Sequence, residues 1–398
     1  MLKKIFLLFF FYNAIQIYQY VSDKYSYQYE DWLINYSNGF VRRGFVGELL
    51  FKFSEILNIN IQYIVFVLLI LVIGIFYLKS YQLLSKIKLN LVYYFLIFSS
   101  LFYFFYLNNH SAGIRKEFLL FIFFTYLVLK ISLNKNHNYL WSFSVIFPFL
   151  ILIHEGLIFY LIFYIFFILL ILNNKNYKSF SYQFIFLLIF SSIFTILSIK
   201  FNGSTEHVLQ ICQSLKNQVK DSCTSSGAIY HLKDGLVYSI NHVLREHDLK
   251  SLTQWSLIAF YCYLPLIYII RKAKFKKNLF IEKKLNISSK KLFILLILLS
   301  FVSILPLFVV AFDWGRWLSI HFHLLSLILI FLVKNKIIFF SKKSIFNSLK
   351  IKKNLNKKII FCLIIFATFV TPTVFDKKSS DHLNPYKFNY IEIIKKGL

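Results

Sequence analysis

Arginine is nearly absent from this chain. It occurs at 42, 43, 115, 245, 271 and 316, and lysine supplies the other 39 of the 45 basic side chains. A sequence so rich in Lys, Asn, Ile, Phe and Tyr carries a bias applied throughout. An arginine that survives it points to a need for the planar, permanently charged guanidinium, which grips phosphate or carboxylate through paired hydrogen bonds. Acids are also few, 17 in 398 residues. No Gly-x4-Gly-Lys-Ser/Thr loop is present, so energy must come from the substrate or a gradient. No zinc-site spacing occurs, and neither a metal nor another cofactor is expected. No small-x-small cleavage site follows the apolar start at Ile5–Phe11, so Met1-Leu2-Lys3-Lys4 reads as the head of an uncleaved anchor.

What fills the chain is apolar. Hydrophobic residues make up 58% and aromatic residues 20%, in runs of membrane-spanning length that exclude an ordinary soluble domain. The expected fold is all-α, a polytopic membrane helical bundle of about eleven transmembrane helices. They lie near 4–21, 60–78, 90–107, 114–132, 138–153, 156–172, 179–199, 253–270, 291–311, 315–333 and 358–371. On this reading 1–371 is a single integral-membrane domain and 372–398 a polar tail. A net charge of +28 would direct a soluble protein to nucleic acid. Here the lysines sit between apolar spans, as membrane orientation requires, so the expected surroundings are membrane lipids and no nucleic acid.

The Lys-rich stretches 271–291, with Glu282 as the sole acid, and 334–358, with none, belong on the cytoplasmic side. Counting back places Lys3 and Lys4 there too, provided that 138–172 reverses in a tight hairpin at His154-Glu155-Gly156. A single kinked helix through Pro148 would invert everything downstream. With the hairpin, the N-terminus is cytoplasmic, the C-terminus extracytoplasmic, and every acid except Glu282 faces outward. That asymmetry gathers chemistry on one face.

The first outer loop, 22–59, carries Asn38-Gly39-Phe40-Val41-Arg42-Arg43-Gly44-Phe45. Beyond it Phe45, Val46, Leu49, Leu50, Phe53, Ile56 and Leu57 recur at helical spacing, opposite Glu48, Lys52 and Glu55, which predicts an amphipathic helix in the outer interface. Gly44 and Gly47 let its start approach another backbone closely. Arg42 and Arg43 precede its N-terminus, where free N–H groups also favour an anion. Two readings stand for this pair, a phosphate grip or snorkelling to headgroups.

Arg115, Lys116 and Glu117 lie at the lip of a span, as ligand contacts or as an interface anchor. His154 and Glu155 end an apolar hairpin, where an acid is expensive unless paired or catalytic. The outer loop 200–252 is polar, and its Cys212 and Cys223 can form a disulfide in an oxidising compartment. Cys262 and Cys362 lie in spans and read as packing residues. Asp313 and Arg316 are three apart in Asp313-Trp314-Gly315-Arg316-Trp317 and share a helix face. They make either a structural ion pair or an aspartate orienting an arginine toward phosphate. Cations clustered with carboxylates suit a reaction on a phosphate-linked substrate: the cations neutralise the departing phosphate and a carboxylate or histidine takes a proton from an attacking hydroxyl.

The run Asn35–Gly44 together with Asp313-Trp314-Gly315-Arg316-Trp317 resembles Wzy-type polymerases of O-antigen or capsule repeat units. This resemblance implies a bacterial inner-membrane enzyme that joins oligosaccharide repeats carried on undecaprenyl pyrophosphate at the periplasmic face. A chain-length regulator and a flippase are then implied partners. The Arg-x10-Gly pattern of some members is absent, since Tyr126, Ser256 and Leu327 occupy the positions eleven beyond Arg115, Arg245 and Arg316. The site residues therefore rest on chemistry: Glu155, His154 and Asp313 as catalytic candidates; Arg42, Arg43, Arg115, Lys116 and Arg316 at phosphate; Asn38, Gly39, Gly44, Glu117, Trp314 and Trp317 in support. The chain also resembles C-type membrane glycosyltransferases that use polyprenyl-phosphate sugars, through its long first outer loop with an acid pair and an interfacial helix. That resemblance makes Glu30 and Asp31 catalytic candidates. A transporter or flippase of polysaccharide precursors is the alternative of another class, against which the charges sit at span ends and no internal repeat is seen.

Overall fold

Long apolar runs leave the backbone no water to bond with, and the helix, which satisfies its own N–H and C=O groups, is the outcome. The computed structural model describes residues 2–22, 27–85, 96–97, 99–109, 114–133, 139–172, 177–216, 218–219, 223, 227–275, 284, 286–311 and 313–339. Its helices are α1 (Leu2–Ser22), α2 (Tyr27–Asp31), α3 (Gly44–Leu57), α4 (Ile61–Leu84), α5 (Tyr103–Asn108), α6 (Glu117–Leu133) and α7 (Leu140–Ile153). A 3-10 turn at Glu155–Tyr160 leads into α8 (Leu161–Ile171). Then come α9 (Tyr177–Lys200), α10 (Thr205–Leu215), a 3-10 turn at Tyr230–Lys233, α11 (Leu236–Glu246), α12 (Leu249–Lys272), α13 (Ser289–Val310) and α14 (Trp314–Lys334). One antiparallel strand pair, β1 (Lys274–Phe275) with β2 (Ile338–Phe339), is the sole sheet among the described residues.

Five described helices are long and apolar enough to cross a membrane: Ile61–Leu84, Lys178–Lys200, Leu249–Lys272, Ser289–Val310 and Trp314–Lys334. Leu140–Ile153 and Glu155–Ile171 are shorter and equally apolar. Of the expected span 90–107, residues 96–97 and 99–107 are described and include most of α5, while 90–95, 98, 358–371, the tail 372–398 and Cys362 lie outside the described residues.

The chain folds as two compact units, Met1–Gln82 with Gly113–Ile165 and Asn174–Asn241, and Leu83–Ala112 with Phe166–Asn173 and His242–Leu398. In the first unit α7 and α9 pack side by side. The interruption of 138–172 falls at His154, not at Pro148, which stays inside α7. His154 is extended (φ −159°, ψ 115°) and its Nδ1 accepts from the Gly156 N–H at 3.1 Å. The chain then turns back, for the Tyr164 hydroxyl donates to the Leu140 carbonyl at 3.0 Å and lies 2.9 Å from the Ser144 hydroxyl.

The amphipathic helix forms as α3, with the glycine side inward, as Gly44 and Gly47 implied, and the apolar stripe outward. Gly44, Gly47, Leu50 and Ser54 are buried, whereas Leu49, Phe53, Ile56 and Leu57 are exposed. The reason is backbone approach. A Cβ on Gly47 would collide with the Ile34 carbonyl and come within 2.9 Å of the Trp32 carbonyl oxygen. The small side therefore faces protein and the large apolar side chains point outward.

In the second unit α14 is buried along nearly its whole length and contacts α12 and α13. His321 sits between the Tyr263 hydroxyl at 2.8 Å and the Ser300 hydroxyl at 2.9 Å. Cys262 is buried with its Sγ 3.1 Å from the Ser100 hydroxyl, the packing role its position in a span implied.

Candidate functional site

Five charged side chains from four segments meet in the first unit. Arg43 is the residue before α3 and adopts φ 65°, ψ −3°, a left-handed conformation uncommon for a residue with a side chain. There its Nε donates to both Glu155 oxygens at 3.0 and 2.8 Å, and its Nη2 donates to Oε1 at 2.5 Å. The reversal at His154 delivers Glu155 to that fork. Arg42 Nη1 lies 3.7 Å from the same carboxylate.

Asp31, at the end of α2, faces Lys116 Nζ through Oδ2 at 3.4 Å and Arg43 Nη1 through Oδ1 at 3.9 Å. Lys116 is fully buried and donates to the Arg43 carbonyl at 3.1 Å. The Trp32 indole N–H donates to the Ile114 carbonyl at 2.5 Å, which pins the segment before α6 beside Asp31. Arg42, Arg43 and Lys116 against Asp31 and Glu155 leave one positive charge in excess.

Burial alone would raise the Glu155 carboxyl, but the Arg43 fork, with His154 and Arg42 nearby, holds it well below the usual carboxylate range. Burial likewise works against the Arg43 charge, and Glu155 overrides it, so Arg43 is held more firmly protonated than a free guanidinium. At Arg42 burial prevails and the shift is downward. Glu155 is thus an ionised partner of Arg43 and not a proton donor. Asp31 is less committed. Its Oδ1 is buried and makes no hydrogen bond, with Arg43 Nη1 3.9 Å away.

Arg42 has a second function that its position in the sequence does not reveal. Its Nη2 donates to the carbonyls of His231, Leu232 and Asp234 at 3.4, 3.5 and 3.2 Å. Both arginines are held by protein acceptors.

Glu30 points elsewhere. It is fully buried, packs against Gly227 and accepts from the Ile229 N–H at 3.2 Å. Arg115 is buried, and Glu117 is buried at the start of α6, where the helix dipole favours a carboxylate. His154 stands 4.0 Å from Glu155 Oε2 but is engaged by Gly156. Asn38 and Gly39 shape the turn before the arginines. Gly39 has φ 90°, which favours glycine, and Ser37 and Gly39 form an isolated bridge. Gly44 lies under the Tyr36 ring.

Asp313 and Arg316 belong to the second unit and pair at 3.3 Å. Arg316 also lies over the Trp317 ring at 4.4 Å, and Trp314 stacks on His247 at 3.9 Å. Cys212 and Cys223 are joined as a disulfide, with Cα atoms 5.9 Å apart. No cluster of His, Cys, Asp and Glu among the described residues has the arrangement of a metal site.

A chain whose described residues are helical but for one short strand pair, with several helices of membrane-crossing length, is a membrane protein. Residues 3–248 match the family described as uncharacterised membrane protein Rv1490, and the chain belongs to that family. The matched stretch contains the five clustered residues and ends before the Asp313–Arg316 pair. No curated protein and no solved structure matches the chain.

Proposed function

We propose that this protein transfers a glycosyl group from a polyprenyl-phosphate-linked donor to a hydroxyl acceptor, at the outer face of a bacterial inner membrane. The observation that carries the reading is the interleaving of Asp31 and Glu155 with Arg42, Arg43 and Lys116 at the root of α3. The outer flank of α3 is apolar where a lipid-borne substrate would lie. In the reaction the acceptor oxygen bonds to the anomeric carbon and the bond from that carbon to the phosphate oxygen breaks. The hydroxyl proton passes to Asp31, and the cationic excess compensates the charge left on the departing phosphate. Glu155 orients Arg43 for that role, and Lys116 holds Asp31 in reach. The topology that goes with this reading has about eleven spans, with the loops 22–59 and 200–252 outside.

Two forms of the reaction share this chemistry. Polymerisation of undecaprenyl-pyrophosphate-linked repeat units is favoured by the likeness of Asn35–Gly44 and Asp313–Trp317 to the Wzy-type enzymes. Transfer of a single sugar is favoured by Asp31, an acid of the first outer loop, standing among the cations. Surface-polysaccharide profiles of a deletion strain separate them. A polymerase leaves single repeats without long chains, whereas a transferase leaves polymer whose repeat lacks one sugar. An unchanged profile in both respects overturns the proposal.

A further inference from the structure

Described residues of the stretch 201–234, on both sides of Cys223 and within the loop its disulfide closes, bond to the first loop and the start of α4. The Phe201 carbonyl accepts from the Arg42 N–H at 2.9 Å. The Ser214 hydroxyl accepts from the Asn35 amide at 3.1 Å. Gln218 Oε1 accepts from the Ser54 hydroxyl at 2.7 Å and from the Ile61 N–H at 3.3 Å. Ile229 donates to Glu30, and the carbonyls of His231, Leu232 and Asp234 hold Arg42. Three of these ties reach the charge cluster, two through Arg42 itself and one through Glu30, the neighbour of Asp31. The Cys212–Cys223 disulfide closes the middle of the stretch. Cys223 has φ 70°, a conformation uncommon for a residue with a side chain.

We propose that 201–234 is a redox-locked strap. The Cys212–Cys223 disulfide holds it on the first loop, which positions Arg42 and the Glu30–Asp31 turn. Reduction releases the strap and weakens the cluster's hold on a phosphate-bearing ligand. The last clause rests on the glycosyl-transfer reading; the strap itself does not. In the switch a dithiol donor passes two electrons to the S–S bond and becomes a disulfide, while each freed Sγ takes up a proton. A thiol–disulfide oxidant reverses the step. Arg42 is here a positioning residue, acting through the place it gives to Arg43 and Glu155.

The test uses the full chain in nanodiscs, oxidised, then reduced with dithiothreitol, then reoxidised, with the thiol state read by alkylation and mass spectrometry. Amide exchange at Ile229, His231, Leu232 and Asp234 is expected to rise at least tenfold on reduction and to recover on reoxidation. The affinity for farnesyl phosphate is expected to fall at least tenfold in parallel. C212S/C223S protein should match the reduced state and ignore dithiothreitol; if it does not fold, reversible reduction of the natural chain carries the test. Unchanged exchange at these amides overturns the strap, and raised exchange with unchanged affinity overturns its positioning role. Raised exchange in a protein that binds no farnesyl phosphate even when oxidised leaves the strap standing and removes the polyprenyl-phosphate reading.

Discussion

Arg43 is the side chain on which the cluster turns. Its left-handed backbone costs about 1–3 kcal/mol, and the fork it makes with Glu155 offsets that cost. A lysine at this position keeps the charge but loses the planar pair of donors. Arg43→Lys should therefore insert normally yet lower transfer about 10²–10³-fold, measured as kcat/KM on reconstituted protein. Equal rates from both proteins would remove the arginine from the chemistry. Glu155 yields a separate expectation. Its carboxyl is held well below its ordinary value of 4.5, so the unfolded chain takes up a proton before the folded one does. The stabilisation is present above about 4.5 and is lost as pH falls through the folded value. The acid limb of a thermal-stability profile should be shallower in Glu155→Gln than in the natural chain, and parallel limbs would show that the pair contributes nothing.

At the scale of elements, α3 depends on its small side. Gly47 sits against the Ile34 and Trp32 carbonyls, and backbone has little room to shift. Gly47→Ala should cost about 1–3 kcal/mol, read from thermal denaturation in detergent, whereas Phe53→Ala on the exposed flank should leave that stability unchanged. Apolar runs announced the helices, and His154-Glu155-Gly156 marked the reversal, because local composition governs both. The inward side of α3 was legible from Gly44 and Gly47, since burial there follows backbone approach and not hydrophobicity. The partnerships of the site were not legible at all. Arg43 and Glu155 are 112 positions apart, and Arg42 meets Asp234 across 192. Arginine scarcity drew attention to both residues, but no local pattern says that their acceptors are protein groups.

At the scale of the whole molecule, the membrane decides which of these surfaces meets which compartment. In the proposed topology the lysines of 271–291 and 334–358, which far outnumber acids, keep those stretches on the cytoplasmic side. If 138–172 crosses as a hairpin, the first loop with Asp31, Arg42 and Arg43 is outside, and so is the disulfide-bearing stretch, where oxidation can persist. A single-cysteine pair tests this directly. Lys52 on α3 is well exposed, and Lys272 closes α12 beside the Lys-rich stretch. With a membrane-impermeant maleimide on spheroplasts, Lys52→Cys should label in intact cells and Lys272→Cys only after permeabilisation. Labelling of both from one side would break the alternation between them. Reversed labelling would put the charge cluster in the cytoplasm, where neither an outward-facing lipid-linked donor nor a lasting disulfide is found.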